Sequence, residues 1–236
     1  MNGIYKTICI DAGHGGTDPG AVNGASQEKN IALDIALKLK NLLQRNGYTV
    51  FMSRETDVFS QPKDRAKYAN SMGADLFISI HCNSYRLDTA HGTETWYYEG
   101  SAEGERLAEL IQTRLVRHLG LTDRGIKDNR TYAVLNATKM PAVLVETAFL
   151  SNPKEKELLM NNGFRSHIAQ AIFEGINAYN GMVDETVGEE MKRLADAKKQ
   201  AVKEGYNFSD ETIEYLLNYR FGEALIDRLY KKIKGA

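Results

Sequence analysis

The chain has 236 residues, of which 42% are hydrophobic, and its 30 basic and 31 acidic residues give a formal net charge of −1. A chain of this length and composition can bury the core of one ordinary domain with a small appendage, which excludes a disordered or fibrous protein. A charge so close to zero gives no support to nucleic-acid binding or to adhesion on an acidic membrane. No window approaches the roughly 20 apolar residues of a membrane-spanning helix.

Two features bear on the compartment. Both cysteines, Cys9 and Cys82, lie within apolar strand-like runs. A free cysteine there behaves as a small buried hydrophobe, so we expect no disulfide. The segment from Met1 runs into a strand without the apolar stretch of a signal peptide, so we expect no export signal.

The first half of the chain alternates predicted strands with predicted helices. Residues 7–11 form an alternating strand that leads into a glycine-rich loop. From Ser26, an expected N-cap, apolar residues recur at helical spacing until Gly47. A strand at 48–53, a helix at 62–71 opened by proline and a strand at 76–81 follow.

The second half continues this alternation. We predict strands at 93–98, 132–135 and 142–146, with the first as an edge strand, and a loop around Arg124. Helices are predicted at 102–119, from Asn152 and Pro153 onward, and at 164–179. Alternating strands and helices predict an α/β fold, in which a mostly parallel twisted sheet is flanked by helices on both faces.

The character of the sequence changes at Gly181. Residues 183–236 are charged, helical in propensity and free of strand signals, and Ser209 is an expected helix cap. We therefore predict a main domain at 1–181 and a small all-helical region at 182–236. Its apolar stripes comprise Met191, Leu194, Ala195, Ala197 and Val202, then Ile213, Leu216, Leu217, Phe221, Leu225, Ile226, Leu229 and Ile233.

Four polar residues stand where apolar patterns meet loops, namely His14, Glu28, His81 and Glu146. Ligands of parallel sheets gather beyond the carboxyl ends of the strands, so we expect three of the four on one rim. Two imidazoles and a carboxylate are ligands that catalytic zinc takes while keeping an open position, and a spare carboxylate suits proton transfer. The sequence therefore predicts a metal-dependent hydrolase.

Each of these residues has a plainer interpretation. His14 could structure its glycine-rich loop, His81 could be an ordinary strand-end histidine, and Glu28 could be a favourable charge at a helix N-terminus. Glu146 could cap a helix. Burial raises the pKa of a carboxyl group towards the value useful for a general base, whereas a neighbouring cation lowers it, and the sequence leaves both open.

Three nearby residues have secondary roles in this interpretation. Asp11 is predicted to accept a hydrogen bond from the free ring N–H of a metal-bound histidine and so to orient that ring. Asp18, within Asp-Pro-Gly, is interpreted as a turn residue. Arg124 either binds a substrate carboxylate or pairs with Asp123 or Asp128.

Ordered sequence blocks between about residues 5 and 180 are similar to those of a known family. They include Ile8-Cys-Ile-Asp-Ala-Gly-His-Gly-Gly-Thr-Asp-Pro-Gly-Ala21, Arg65-Ala-Lys-Tyr-Ala-Asn70, Ile78-Ser-Ile-His-Cys-Asn-Ser84, Asp123-Arg-Gly-Ile-Lys127 and Met140-Pro-Ala-Val-Leu-Val-Glu-Thr-Ala-Phe-Leu-Ser-Asn152. In these blocks the chain resembles the zinc-dependent N-acetylmuramoyl-L-alanine amidases of the type-3 amidase family.

The resemblance implies a site and a substrate. One Zn²⁺ per chain would be held by His14, Glu28 and His81, with Glu146 as the catalytic carboxylate. The substrate would be bacterial peptidoglycan, cut between N-acetylmuramic acid and L-alanine of the stem peptide. We also expect Asn83 and Arg124 to bind substrate.

The resemblance, the expected lack of an export signal and the apolar stripes of the C-terminal region together suggest a setting. We expect an endolysin or lytic autolysin, made in the bacterial cytoplasm and acting on the wall after lysis or holin-type release. Residues 182–236 are expected to target the wall or to self-associate. Two competing interpretations remain: a zinc peptidase that trims stem peptides, and a non-catalytic wall-binding protein on the same fold.

Overall fold

The computed structural model describes residues 5–182, 196, 199–217 and 222–233. The chain divides into two compact units, Met1–Met182 and Val183–Ala236, each described here by itself. No helix within the described residues is both long enough and apolar enough to cross a membrane.

A six-stranded sheet forms the centre of the first unit. In chain order its strands are β1 (Thr7–Ala12), β4 (Thr49–Met52), β5 (Leu76–Asn83), β6 (Thr93–Tyr98), β7 (Asp123–Asn129) and β8 (Ala142–Phe149). Their spatial order is β4-β1-β5-β8-β6-β7. Only the β6–β8 pair is antiparallel within this sheet, and the predicted mostly parallel sheet is confirmed. A small hairpin of β2 (Val22–Asn23) and β3 (Ser26–Gln27) stands apart from it.

Helices cover both faces of this sheet. They are α1 (Glu28–Arg45), α2 (Pro62–Ser71), α3 (Ala102–Leu119), α4 (Ala133–Asn136), α5 (Pro153–Met160) and α6 (Asn162–Tyr179). Alternation along β1 sends Ile8 and Ile10 into the larger core, which includes side chains of α1, α3 and α6, while Cys9 enters a smaller core with α2 and α4. The sheet is therefore buried on both sides, as its continuous apolar runs predict.

Four expectations about local structure were wrong. Ser26 pairs with Asn23 in the hairpin, so α1 begins at Glu28 without a side-chain cap. Residues 133–136 are helical, because Asn129 Oδ1 accepts hydrogen bonds from the backbone N–H groups of Thr131 and Tyr132 and so ends the preceding strand in a turn.

The strand lies earlier, at β7, where the sequence predicted a loop. Polar residues dominate β7 because it occupies the sheet edge and pairs only with β6 among the described strands. β6, predicted as an edge strand, lies between β8 and β7 instead, because β7 adds a further strand beyond it.

The second unit is helical where it is described. Residues 199–206 form α7, followed by α8 (Asp210–Leu217) and α9 (Gly222–Ile233). Val202, Ile213 and Ile226 are buried together in a small core of their own. Ser209 caps α8, its Oγ accepting from the Thr212 backbone N–H at 3.2 Å, as predicted. Met191, Leu194, Ala195, Ala197 and Phe221 of the predicted stripes lie outside the described residues.

Candidate active site

Strand ends and one helix start bring the four predicted site residues to the same rim. His14 follows β1, His81 lies near the end of β5, Glu146 lies in β8 and Glu28 is the first residue of α1. The parallel β5–β8 register sets His81 beside Glu146. Side chains at paired positions of neighbouring strands share a face, so both groups point to the same side of the sheet.

The three predicted ligands converge on one point. Glu28 Oε2 lies 3.1 Å from His14 Nε2, and Glu28 Oε1 lies 2.9 Å from His81 Nδ1. One donor atom from each residue lies within 4.8 Å of the other two, close enough to hold a metal ion. The imidazole rings meet edge to face, with centroids 4.9 Å apart.

The Glu28 carboxylate is fixed by the backbone as well. Its Oε2 accepts from the Ala21 N–H at 2.8 Å and its Oε1 from the Cys82 N–H at 2.9 Å. Burial opposes ionisation, but hydrogen bonds from the two histidines hold the pKa of Glu28 far below its usual range. Burial likewise opposes protonation of His81, yet its bond to Glu28 raises the pKa of His81 to about 9. In the metal-free protein an ionised Glu28 therefore lies between two imidazoles that favour protonation, and these rings must release their protons before they can bind a metal ion.

Glycines allow the backbone to approach these ligands closely. A Cβ on Gly13 would lie 2.4 Å from the His81 ring. Gly20 has a φ of 64°, and a Cβ there would lie 2.5 Å from both Glu28 Oε2 and His14 Cδ2. The two glycines therefore leave room for the side chains of His14, Glu28 and His81.

Glu146 differs from Glu28 in having an unsatisfied oxygen. Its Oε2 is buried without a hydrogen-bond partner among the described residues. The pKa of Glu146 is raised to about 7, chiefly by burial. The carboxylates of Glu28 and Glu94 also raise it, whereas His81 lowers it. A carboxyl group with a pKa near neutrality is suited to accept and return a proton.

All four residues line one open cleft of about 560 Å³. Its lining also includes Asn83 at the end of β5, Ser84 just beyond it, and residues 131–134, which include the start of α4.

Comparison with known proteins identifies the family to which this chain belongs. The sequence profile described as N-acetylmuramoyl-L-alanine amidase, type 3, matches residues 8–178. The chain belongs to this amidase family. It is 41% identical over 179 residues to the N-acetylmuramoyl-L-alanine amidase LytC of Bacillus subtilis, a match that covers 75% of this chain and 36% of LytC. It is 38% identical over 181 residues to the endolysin of Bacillus phage SPP1, covering 73% of this chain and 65% of the endolysin.

Solved structures agree with these sequence matches. An N-acetylmuramoyl-L-alanine amidase from Clostridium difficile 630 superposes with a TM-score of 0.72 at 37% identity, covering 75% of this chain and 97% of that one. The shared part is the α/β unit of the amidase fold. The chain spans only about a third of the length of LytC.

Behind the amidase cleft, Asp18 is the turn residue that the sequence predicted, since its Oδ1 accepts from the Gly20 N–H at 3.0 Å, but it also has the orienting role expected of Asp11. Asp18 Oδ2 lies 2.8 Å from His14 Nδ1, so it orients that ring from behind. Asp11 is fully buried and accepts from Ser53, Ser79 and Arg65. Within the described residues, neither ligand histidine hydrogen-bonds to Asp11. The sequence signal for this orienting role was an aspartate four residues after the histidine of the glycine-rich loop.

A buried carboxylate that sequence reasoning missed lies beside the amidase cleft. Glu94 is only 3% exposed and accepts from Arg124 Nε at 2.6 Å and Lys127 Nζ at 2.5 Å. Asn83 Nδ2 donates to its other oxygen at 3.0 Å. The ion-pair partner of Arg124 is thus Glu94, where the sequence offered Asp123 or Asp128. Among the two expected substrate-binding residues, Asn83 lines the cleft, and Arg124 lies outside its described lining.

Proposed function

We propose that residues 1–181 of this chain form a zinc-dependent amidase domain that hydrolyses the amide between N-acetylmuramic acid and L-alanine in bacterial peptidoglycan. The observation that carries the proposal is the convergence of His14, Glu28 and His81 beside the partnerless oxygen of Glu146. Membership of the N-acetylmuramoyl-L-alanine amidase family supplies the reaction class.

The donor set suits zinc. Two imidazole nitrogens and one carboxylate are the protein ligands of many catalytic zinc sites, in which a further position stays open. His14, Glu28 and His81 would hold the ion, one per chain. A bound zinc ion supplies Lewis acidity, which lowers the pKa of water and polarises a carbonyl group.

Glu146 is assigned the proton transfers. Its free Oε2 is available to accept a proton from the attacking water and then to deliver it to the departing amine of L-alanine. The pKa of about 7 allows both steps near neutral pH. The surrounding burial keeps bulk water from competing for this oxygen.

Substrate recognition is assigned to Asn83 and Arg124. Asn83 lines the cleft next to His81. Arg124 uses its Nε to bind Glu94, and about a third of its side chain remains exposed, which leaves guanidinium N–H groups for a carboxylate of the stem peptide.

For residues 182–236 we propose wall targeting or self-association. The family match ends at residue 178, and α7, α8 and α9 have a separate small core. Similarity to a phage endolysin and to LytC supports action on the wall as an endolysin or lytic autolysin. Synthesis in the bacterial cytoplasm and release by lysis or a holin are part of this proposal.

Analysis of end groups released from purified walls tests the activity. The amidase should produce intact stem peptides with a new L-alanine amine, together with peptide-free glycan, and a chelator should abolish both products. A peptidase would instead yield fragments cut within the stem peptide. A non-catalytic wall-binding protein would release neither product.

A further inference from the structure

Arg54 lies just after β4 in the chain and is buried beneath the ligand cluster, only 3% exposed. Its neighbour Ser53 donates a backbone hydrogen bond to Ile10 O at 3.0 Å, which holds this segment against β1. A buried guanidinium is costly unless its N–H groups are satisfied. Its hydrogen-bond partners therefore indicate what the side chain does.

Those partners are backbone carbonyls on three segments. Arg54 Nη2 donates to Gly13 O at 2.7 Å and to Lys29 O at 2.8 Å. Its Nε donates to Ala12 O at 2.9 Å and its Nη1 to Thr56 O at 3.2 Å. Gly13 precedes His14 and Lys29 follows Glu28, so one nitrogen atom joins the neighbours of two proposed metal ligands.

We propose that Arg54 is a positioning residue that sets the separation of His14 and Glu28 before metal binds. The inference rests on the proposed metal site. Because the guanidinium is planar and rigid, its fork fixes the distance between the carbonyls of Gly13 and Lys29. Gly15 has no side chain and so leaves room for the Arg54 guanidinium, since a Cβ on Gly15 would lie 2.9 Å from Arg54 Nε.

A second buried arginine shows that the bridge is specific to Arg54. Arg65 donates to Ala12 O at 2.6 Å and to His14 O at 2.7 Å, and it pairs with Asp11. Its hydrogen bonds, within the described residues, include none to α1. Arg65 therefore holds the His14 loop alone, whereas Arg54 ties that loop to the helix that carries Glu28.

Lysine is the informative replacement at position 54. An ammonium group keeps the charge, but it is a single point of attachment and cannot span the two carbonyls in a fixed plane. Arg54→Lys should therefore leave the fold in place and loosen the ligand geometry. We expect zinc affinity, measured by chelator competition, to fall about 10-fold or more. The Co²⁺ absorption spectrum should shift, because it reports ligand geometry directly.

Arg114→Lys is the matched control. Arg114 is also 3% exposed, but it lies on α3, which contributes none of the described residues lining the cleft. Its zinc affinity should stay within about twofold of wild type, although removal of a buried guanidinium should destabilise both variants to a similar extent. Zinc binding by Arg54→Lys within the same twofold range, with an unchanged Co²⁺ spectrum, overturns the inference while leaving the proposed function intact.

If Arg54→Lys does not fold, hydrogen exchange of the wild-type protein tests the positioning role of Arg54 instead. We expect residues 12–16 and 28–33 to be protected in the metal-free protein, since Arg54 already joins them. Exchange of residues 12–16 that slows only when zinc is added would show that the metal sets the geometry, and would overturn the inference. Failure of the wild-type chain to bind zinc at all would overturn the proposed function and this inference together.

Discussion

Glu94 lies directly opposite Glu146 in the antiparallel β6–β8 register. Two carboxylates on neighbouring strands repel each other, and Glu94 contributes to the raised pKa of Glu146. Arg124 and Lys127 neutralise Glu94 and keep it ionised, since their hydrogen bonds lower its pKa against the effect of burial. The two acids thus hold different protonation states at the same pH, and only Glu146 is left free to exchange a proton.

Glu94→Gln should shift the pH dependence of activity. Removing the negative charge opposite Glu146 lowers the pKa of Glu146, so the base stays ionised to lower pH. We expect the acidic limb of the kcat/KM profile to move downward in pH. The profile should be measured on soluble muropeptides, because wall binding has its own pH dependence. An unchanged or upward-shifted limb would contradict the electrostatic role of Glu94.

Glu146→Gln should abolish turnover while keeping the metal site. Glutamine has nearly the same shape but cannot accept a proton, so we expect a loss of about 10²–10⁴-fold in kcat, measured by release of L-alanine amines from purified wall. Zinc content should equal that of wild type. A variant that still cleaves at a tenth of the wild-type rate would place the base elsewhere.

The same substitution should stabilise the metal-free protein at alkaline pH. The folded pKa of Glu146 is about 7, above its ordinary value of 4.5, so ionising this group costs stability as pH rises through that window. Glutamine removes the cost. We expect a gain of about 1 kcal/mol, or roughly 2–4 °C in Tm, at pH 8. The gain should vanish below pH 4.5, and a gain independent of pH would point to packing instead.

Metal removal should change how stability depends on pH. In the metal-free protein the pKa of His81 is about 9, above its ordinary value of 6.5, so its stabilising contribution is complete below pH 6.5 and is lost as pH rises through 9. Zinc needs deprotonated imidazoles, so its stabilisation grows over the same range. We expect the difference in Tm between zinc-loaded and chelated protein to widen from pH 6.5 to 9.

His81→Asn is the control for that experiment. It removes the group with the most raised imidazole pKa, so the metal-free protein should lose much of its decline in stability above pH 6.5. Zinc should then stabilise the variant far less than the wild type. A wild-type Tm difference that stays constant across the range would show that the imidazoles do not exchange protons for metal.

Asp18→Ala should weaken metal binding without unfolding the domain. Asp18 fixes the His14 ring through its Nδ1, which leaves Nε2 towards Glu28. Loss of such a partner lowers metal affinity about 10–100-fold in comparable sites. Asp64→Ala on α2, which removes an exposed pair with Lys67, should leave zinc affinity unchanged. Equal zinc affinities for the two variants would show that Asp18 does not support metal binding.

Truncation after Gly181 tests the role of the helical region. The solved amidase from Clostridium difficile matches this chain over 97% of its own length, so we expect the α/β unit to fold without residues 182–236. We expect the short chain to keep wild-type turnover on soluble muropeptides and to bind intact walls more weakly or to change its assembly state. Sedimentation with purified walls and analytical ultracentrifugation provide the measurements. Equal results for both chains would reject targeting and self-association.

The sequence predicted the central parallel strands and the rim that carries the site. Short apolar runs such as Leu76–Ile80, which alternate with helical patterns, indicate strands buried on both faces, and their ends place His81 and Glu146 on one side. The glycines around His14 predicted a loop that closely approaches a ligand. These features are encoded locally, in residue type and short spacing, so they could be inferred before any coordinates.

The partners of the buried polar groups could be identified only from the folded structure. Arg54 and Gly13 are 41 residues apart, and Asp11 and Arg65 are 54 apart, and no local pattern indicates that they meet. The same cause explains why the sequence assigned the orientation of a histidine to Asp11 instead of Asp18, and why Glu94 and the polar edge strand β7 were missed. Buried charge is stable only beside a matching donor or acceptor, and the fold brings those groups together across long separations in sequence.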